Sequence, residues 1–140
     1  MRPDATLINA SRGEVAQSEA LLDAPQKLIL DVWENEPNIN QALLAKAFVA
    51  TPHIAGYSAQ GKANASSIVV RAIAERFALP LTDWYPRQVQ PVERRAIEWQ
   101  DMCQTIARYC DLKAQSEHMR LHSADFESLR NNYNYRQEYF

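Results

Sequence analysis

The chain has 140 residues, with 3 Gly against 7 Pro and a formal net charge of −2. Charge is evenly spread, 7 basic and 8 acidic side chains in residues 1–80 and 8 and 9 in residues 81–140, which excludes the electrostatic footprint of a nucleic-acid or anionic-membrane binder. Gly13, Gly56 and Gly61 are the only glycines, so no G-x-G-x-x-G cluster exists and a complete dinucleotide cradle is excluded within these residues. At this length the chain can bury roughly two-thirds of its surface and own a core. The start, MRPDATLIN, lacks the basic and apolar pattern of a leader, and no apolar run approaches the ~18 residues of a spanning helix. The chain therefore reads as soluble and cytoplasmic.

Thr6–Asn9 (TLIN) is strand-like, and Gly13 closes the turn after it. Ser18 is expected to cap a short helix carrying Leu21 and Leu22 that Pro25 stops, and Lys27–Val32 (KLILDV) forms a second buried strand. A turn follows at Asn35-Glu36-Pro37. Asn40 then caps a helix through Leu43, Leu44 and Ala47, and Phe48–Thr51 (FVAT) is the third strand. Ser58 opens a longer helix with Ala65, Ile68, Val69, Ala72 and Ile73 at helical spacing, ending by Pro80. Strands alternating with helices predict parallel pairing through right-handed crossovers, hence an α/β fold that is either a small domain or one end of a larger, doubly wound sheet of the Rossmann type.

Beyond residue 80 the character changes: Pro80, Pro86 and Pro91 mark a linker at 81–91, and 9 of the 13 aromatic residues follow position 80. Val92, Ala96, Trp99, Cys103, Ile106 and Cys110 recur at steps of four and three, the packing face expected of one long helix with Trp99 as its largest anchor. Within such a helix Cys103 and Cys110 stand about 10 Å apart along the axis, too far for a disulfide, and both read as buried thiols of a reducing compartment. A final helix is expected from Ser123 as cap through Phe126 and Leu129 into the aromatic tail NNYNYRQEYF. Residues 92–140 thus read as a mostly helical or α+β segment.

Three constellations could carry chemistry. Gly56–Ala63 (GYSAQGKA) supplies G-x-x-x-x-G-K, with Lys62 in the phosphate-binding place, but Ala63 stands where a P-loop needs a hydroxyl for Mg²⁺. His118 and His122, at i and i+4, share a helical face, yet Met119 replaces the glutamate of the zinc-protease pattern, so no metal site is expected. The third set follows the strands: Arg12 after TLIN, Asp31 and Glu36 at and after KLILDV, and His53 after FVATP. Carboxyl ends of parallel strands share one edge, where open α/β folds bind ligands. Catalysis there and ordinary loop roles for the same residues both remain open on spacing alone.

LINASRGEV, LDVWENEP and TPHIAGYSAQGKA, in that order, resemble the closing half of the cofactor domain of D-isomer-specific 2-hydroxyacid dehydrogenases. The resemblance implies NAD as cofactor and an Arg, Glu and His catalytic triad at Arg12, Glu36 and His53. It implies that Ala10, Ser11, Arg12, Asp31 and Gly56 lie along the cofactor, with Asp31 accepting from the carboxamide, and that Arg12 and Tyr57 face the substrate. Residues 1–80 would be the C-terminal part of the NAD-binding domain with a helix returning toward the substrate domain. The segment FESLRNNYNYRQEY points to a branch acting on a phosphorylated 2-hydroxy acid, with residues 92–140 as a partial homodimerisation domain. The chain by itself is expected to be inactive, a fragment without the glycine fingerprint and the first substrate-domain portion. The competing expectations are a non-catalytic dimerisation or interaction module and a P-loop-like nucleotide binder.

Overall fold

The computed structural model describes residues 1–93 and 95–138; Arg94 and the last two residues of the aromatic tail, Tyr139 and Phe140, lie outside the described residues. Two compact units emerge, Met1–Ala55 with Asp111–Tyr133, and Gly56–Cys110 with the chain from Asn134 on. This division does not follow the proline spacing. The segment expected to begin a separate domain at residue 92 instead gives its middle part to the first unit.

The first unit is built on a parallel sheet of β1 (Thr6–Asn9), β2 (Lys27–Leu30) and β3 (Val49–Ala50), in the order β1-β2-β3. Its register runs from Thr6 opposite Lys27 to Asn9 opposite Leu30, and continues with Ile29 opposite Val49. The strands are shorter at their ends than the apolar runs suggested, because Asp31, Val32, Phe48 and Thr51 lie in the bordering loops. Two short helices, α1 (Ser18–Asp23) and α2 (Gln41–Lys46), form the crossovers. Leu21, Leu43 and Leu44 from these helices close over Leu28, Leu30 and Ala50 of the sheet, with Trp33 and Ile39 completing the cluster.

Polar groups at the helix ends are satisfied from outside each helix. Asn40 caps α2 through Leu43 N–H at 3.0 Å, as its position before the apolar run requires. Ser18 is not the cap expected of it: it is the first residue of α1, and its N–H donates to Glu34 Oε2 at 2.8 Å. A carboxylate from the loop after β2 thus takes the capping role. At the other end of α1 the ammonium of Lys46 donates to the carbonyls of Leu21, Leu22 and Ala24.

Two further helices join this unit, α5 (Leu112–Leu121) and α6 (Phe126–Asn131). Met119 and Phe126 enter the same core at 1% and 2% exposure. Ser116, also buried, takes the Ala50 N–H at 2.9 Å, so the last strand's outer edge does not leave that donor orphaned. Arg120 Nη2 donates to Ala47 O at 2.6 Å, covering the C-terminal end of α2. Ser123 is again not a cap; it starts a short 3₁₀ turn, Ser123–Asp125, and its hydroxyl donates to Gln41 Oε1 at 2.8 Å.

The second unit is dominated by α3 (Ala59–Phe77), capped at its start by Ser58 Oγ, which accepts Gly61 N–H at 3.1 Å. Its end is set by Ala78 in the left-handed region at φ 50°, just before Pro80. Which face of α3 is buried departs from expectation. Gln60, Ala63, Ser67 and Ala74 are buried, while Ile68, Val69 and Ile73 are exposed at 68%, 58% and 48%. The long helix expected over 92–110 is also absent: a 3₁₀ turn, Trp99–Asp101, leads into α4 (Met102–Tyr109), which stops at Cys110 in extended backbone. Trp99 is 81% exposed and anchors nothing in its unit. The two cysteines are not buried as expected: Cys103 is exposed and Cys110 half-buried, because no core of this unit covers them.

Candidate active site

The loops at the carboxyl ends of the three strands carry the candidate residues, and Gly13 explains how two of those loops meet. A Cβ built on Gly13 would lie 2.0 Å from Trp33 O and 2.5 Å from Glu34 N. Only a residue without a side chain lets the loop after β1 sit against the loop after β2. Arg12 precedes this contact and Glu36 follows it in the chain.

Glu36 and His53 are 17 residues apart in sequence, and the fold joins them directly. His53 Nδ1 lies 2.8 Å from Glu36 Oε2, with the two side chains 22% and 18% exposed. An ionised carboxylate has no proton to give, so Nδ1 is the donor and Nε2 is the ring atom left for other chemistry. The other carboxylate oxygen, Oε1, accepts the Trp33 N–H at 2.9 Å, which fixes its orientation. Trp33 is itself held by its indole N–H, which donates to Thr51 O at 2.9 Å inside the core.

His53 sits at φ 59°, a left-handed backbone conformation rare outside glycine. Its N–H donates to Asp31 O at 2.7 Å, and the following two N–H groups, of Ile54 and Ala55, donate to Asp31 Oδ1 and Oδ2 at 2.8 and 3.0 Å. Thr51 Oγ donates to Asp31 Oδ1 at 2.6 Å. Asp31 therefore organises the whole loop that presents His53, holding a conformation that costs about 1–3 kcal/mol on its own. This role was missed in the sequence, although an acidic residue at a strand end beside a Thr-Pro-His loop is the signal that could have shown it.

Arg12 stands apart from this pair. It is exposed, its Nη1 donates to the adjacent Ser11 O at 2.7 Å, and among the described residues no hydrogen bond or ion pair joins it to Glu36 or His53. The turn that carries it is shaped by Asn9, whose Oδ1 accepts from Ser11 N–H and Ser11 Oγ at 3.2 and 2.9 Å and whose Nδ2 donates to Arg12 O at 2.9 Å. Asn9 is a second residue the sequence reading overlooked; asparagine ending a strand before a turn is the usual sign of such a side-chain turn. Ala10 and Ser11 are exposed beside it.

Gly56 and Tyr57 belong to the second unit. Gly56 is exposed, and an added Cβ there would meet nothing within 4 Å. Tyr57 packs edge-on against Tyr135 with ring centroids 5.4 Å apart, and Lys62 Nζ lies 4.2 Å from the Tyr57 ring centroid. Gly61 and Lys62 are in the first turn of α3 rather than in a loop, and the ammonium rests on aromatic faces. His118 and His122 have ring centroids 4.5 Å apart, and among the described residues no group of three His, Cys, Asp or Glu side chains is arranged to hold a metal.

Residues 1–55 match the family model described as the NAD-binding domain of D-isomer specific 2-hydroxyacid dehydrogenases. Among curated proteins the chain is 38% identical over 143 residues to an erythronate-4-phosphate dehydrogenase of Bacteroides fragilis, covering 99% of the chain and 40% of that protein. It is 39% identical over 137 residues to the enzyme of the same name from Bacteroides thetaiotaomicron, covering 94% and 39%. A third, from Psychrobacter cryohalolentis, is 34% identical over 152 residues, covering 99% and 39%. The chain spans about 40% of the length of these relatives. The site residues present accord with a bound nicotinamide in one respect that the structure itself supplies. Asp31 Oδ2 accepts a single hydrogen bond among the described residues, against two at Oδ1, so one lone pair remains for an amide donor.

Proposed function

We propose that this chain forms the catalytic edge of an NAD-dependent 2-hydroxyacid dehydrogenase acting on 4-phospho-D-erythronate, oxidising it to the 2-oxo acid in the synthesis of pyridoxal 5′-phosphate. The observation that carries the reading is the 2.8 Å contact between His53 Nδ1 and Glu36 Oε2, within the segment that matches the NAD-binding family. When bound, NAD would supply the hydride acceptor. His53 Nε2 takes the proton of the substrate hydroxyl, and Glu36 fixes the ring tautomer and stabilises the imidazolium that results. Arg12, exposed at the same edge, offers a planar fork of donors for the substrate carboxylate. Asp31 presents its remaining lone pair to the carboxamide of the cofactor, Ala10, Ser11 and Gly56 border it, and Tyr57 faces the substrate. Residues 92–140 serve homodimerisation, and the enzyme works in the cytoplasm. These residues carry no glycine fingerprint, so on this reading they do not turn over by themselves.

Fused behind the preceding part of the Bacteroides fragilis relative, the chain should support NAD-dependent oxidation of 4-phospho-D-erythronate. His53→Ala in that fusion should lower kcat by about 10²-fold or more, the lower range of general acid–base catalysis. Turnover of the variant equal to its parent's would overturn the proposal. A second reading, a non-catalytic interaction module, is favoured by the exposure of Trp99 at 81% and Ile68 at 68%. Monomeric sedimentation of the chain at high concentration would count against it, as would tight NAD binding by these residues alone.

A further inference from the structure

The family-wide match ends at residue 55, yet a charged side chain from much later in the sequence reaches the His–Glu pair. Arg130, in the last turn of α6, places Nη1 3.8 Å from Glu36 Oε2, the same oxygen that holds His53. All three side chains belong to the first unit. Arg130 is 35% exposed overall, but its Nε is shut off from water and has no hydrogen-bond partner among the described residues. A buried, unsatisfied N–H carries a free-energy cost that native structures rarely accept without a compensating role.

The carboxylate of Glu36 is therefore held from three directions. Trp33 N–H fixes Oε1, His53 Nδ1–H engages Oε2, and Arg130 Nη1 lies 3.8 Å from the same Oε2. We propose that Arg130 is a positioning residue for the acid–base pair, fixing Glu36 Oε2 for His53 from a segment outside the dehydrogenase family match. This rests on the reading of Glu36 and His53 as the acid–base pair. A cation at that distance attracts the carboxylate without taking over its hydrogen bond. Two further ionisable groups of this unit are Asp31, engaged by Thr51, Ile54 and Ala55, and His118, which shares with Pro52, Ile54 and Tyr133 the wall of an apolar cavity of about 290 Å³. Neither makes a hydrogen bond or ion pair to Glu36 among the described residues.

The test reads the ring proton directly and needs no turnover. In the ¹⁵N-labelled 140-residue chain, the His53 Nδ1–H proton should be protected from exchange with water. Arg130→Gln should speed that exchange about tenfold, the factor expected when a charge-assisted contact is loosened. Arg130→Lys, keeping the stem and charge but not the fork, should give a smaller rise, and added guanidinium ion should restore protection in Arg130→Ala. If Arg130→Gln loses its helical circular dichroism, the lysine variant and the guanidinium titration carry the test. Unchanged exchange in the folded variants would overturn the positioning role and leave the His–Glu pair intact. An unprotected Nδ1–H in the parent chain would overturn the pair itself, and the positioning role with it.

Discussion

Met119 and Phe126 of the first unit are almost sealed from water at 1% and 2% exposure, whereas Ile68, Val69 and Phe77 of α3 stand at 68%, 58% and 68%. Both groups sit on helices with apolar residues, and α3, which leaves its own exposed, is the richer in them. The difference lies in what the fold offers them. The sheet of the first unit presents Leu28, Leu30 and Ala50 to any apolar side chain that reaches it, and α5 and α6 do. On α3 the buried face is made of Gln60, Ala63, Ser67 and Ala74, small or polar residues that satisfy local needs: Gln60 Nε2 donates to Gln90 O and Gln137 Oε1, and Ser67 Oγ donates to Ala63 O. Periodicity marks a face, and the presence of a complementary surface decides whether that face is buried.

The contrast can be broken most forcefully at Phe126. Phe126→Ala should destabilise the first unit by about 3–5 kcal/mol, the range for a fully buried phenylalanine, seen as a lower urea midpoint. It should also weaken the His53–Glu36 pair, because the helix that carries Arg130 begins at this residue. Ile68→Ser and Val69→Ser, in contrast, should each change stability by no more than about 0.5 kcal/mol, as surface substitutions do. A cost at Ile68 comparable to that at Phe126 would mean the α3 face is covered in solution, and the comparison would collapse.

The smallest expected effect concerns pH. The Ser18 N–H donated to Glu34 holds that carboxyl below its ordinary value of 4.5, with the Ser18 side chain acting in the same direction. A depressed carboxyl stabilises the fold at pH values above its unfolded value and loses that contribution as pH falls through its folded one. The difference in urea midpoint between the parent and Glu34→Gln should therefore be complete near neutral pH and shrink below about pH 4.5. A difference that grows on acidification would show that Glu34 does not cap α1.

Some of this was open to reading in the chain. Asn40 and Ser58 cap helices where their positions before apolar runs place them, and the three strands follow apolar segments bounded by turn residues. Capping is local, decided within four residues, so the sequence carries it. Ser18 and Ser123 had the same local signal and did not cap, because Glu34 and Gln41 compete for them across the fold. The same limit applies to the stretch from Val92 to Cys110. Its spacing suits one helix, but nothing in its unit buries Trp99, and the backbone turns extended at Cys110.

By itself the sequence determined the residue types at the strand ends and their order, Arg12, Asp31, Glu36 and His53, since parallel strands must deliver their carboxyl ends to one edge. Tertiary structure alone decided how those residues divide the work. It made Asp31 the support of the His53 loop, joined Glu36 to His53 across 17 residues, left Arg12 exposed, and brought Arg130 in from α6. The reason is physical: hydrogen bonds and ion pairs act over a few ångströms of space, and which atoms share that space is set by the packing of Leu28, Leu30, Met119 and Phe126 into one core.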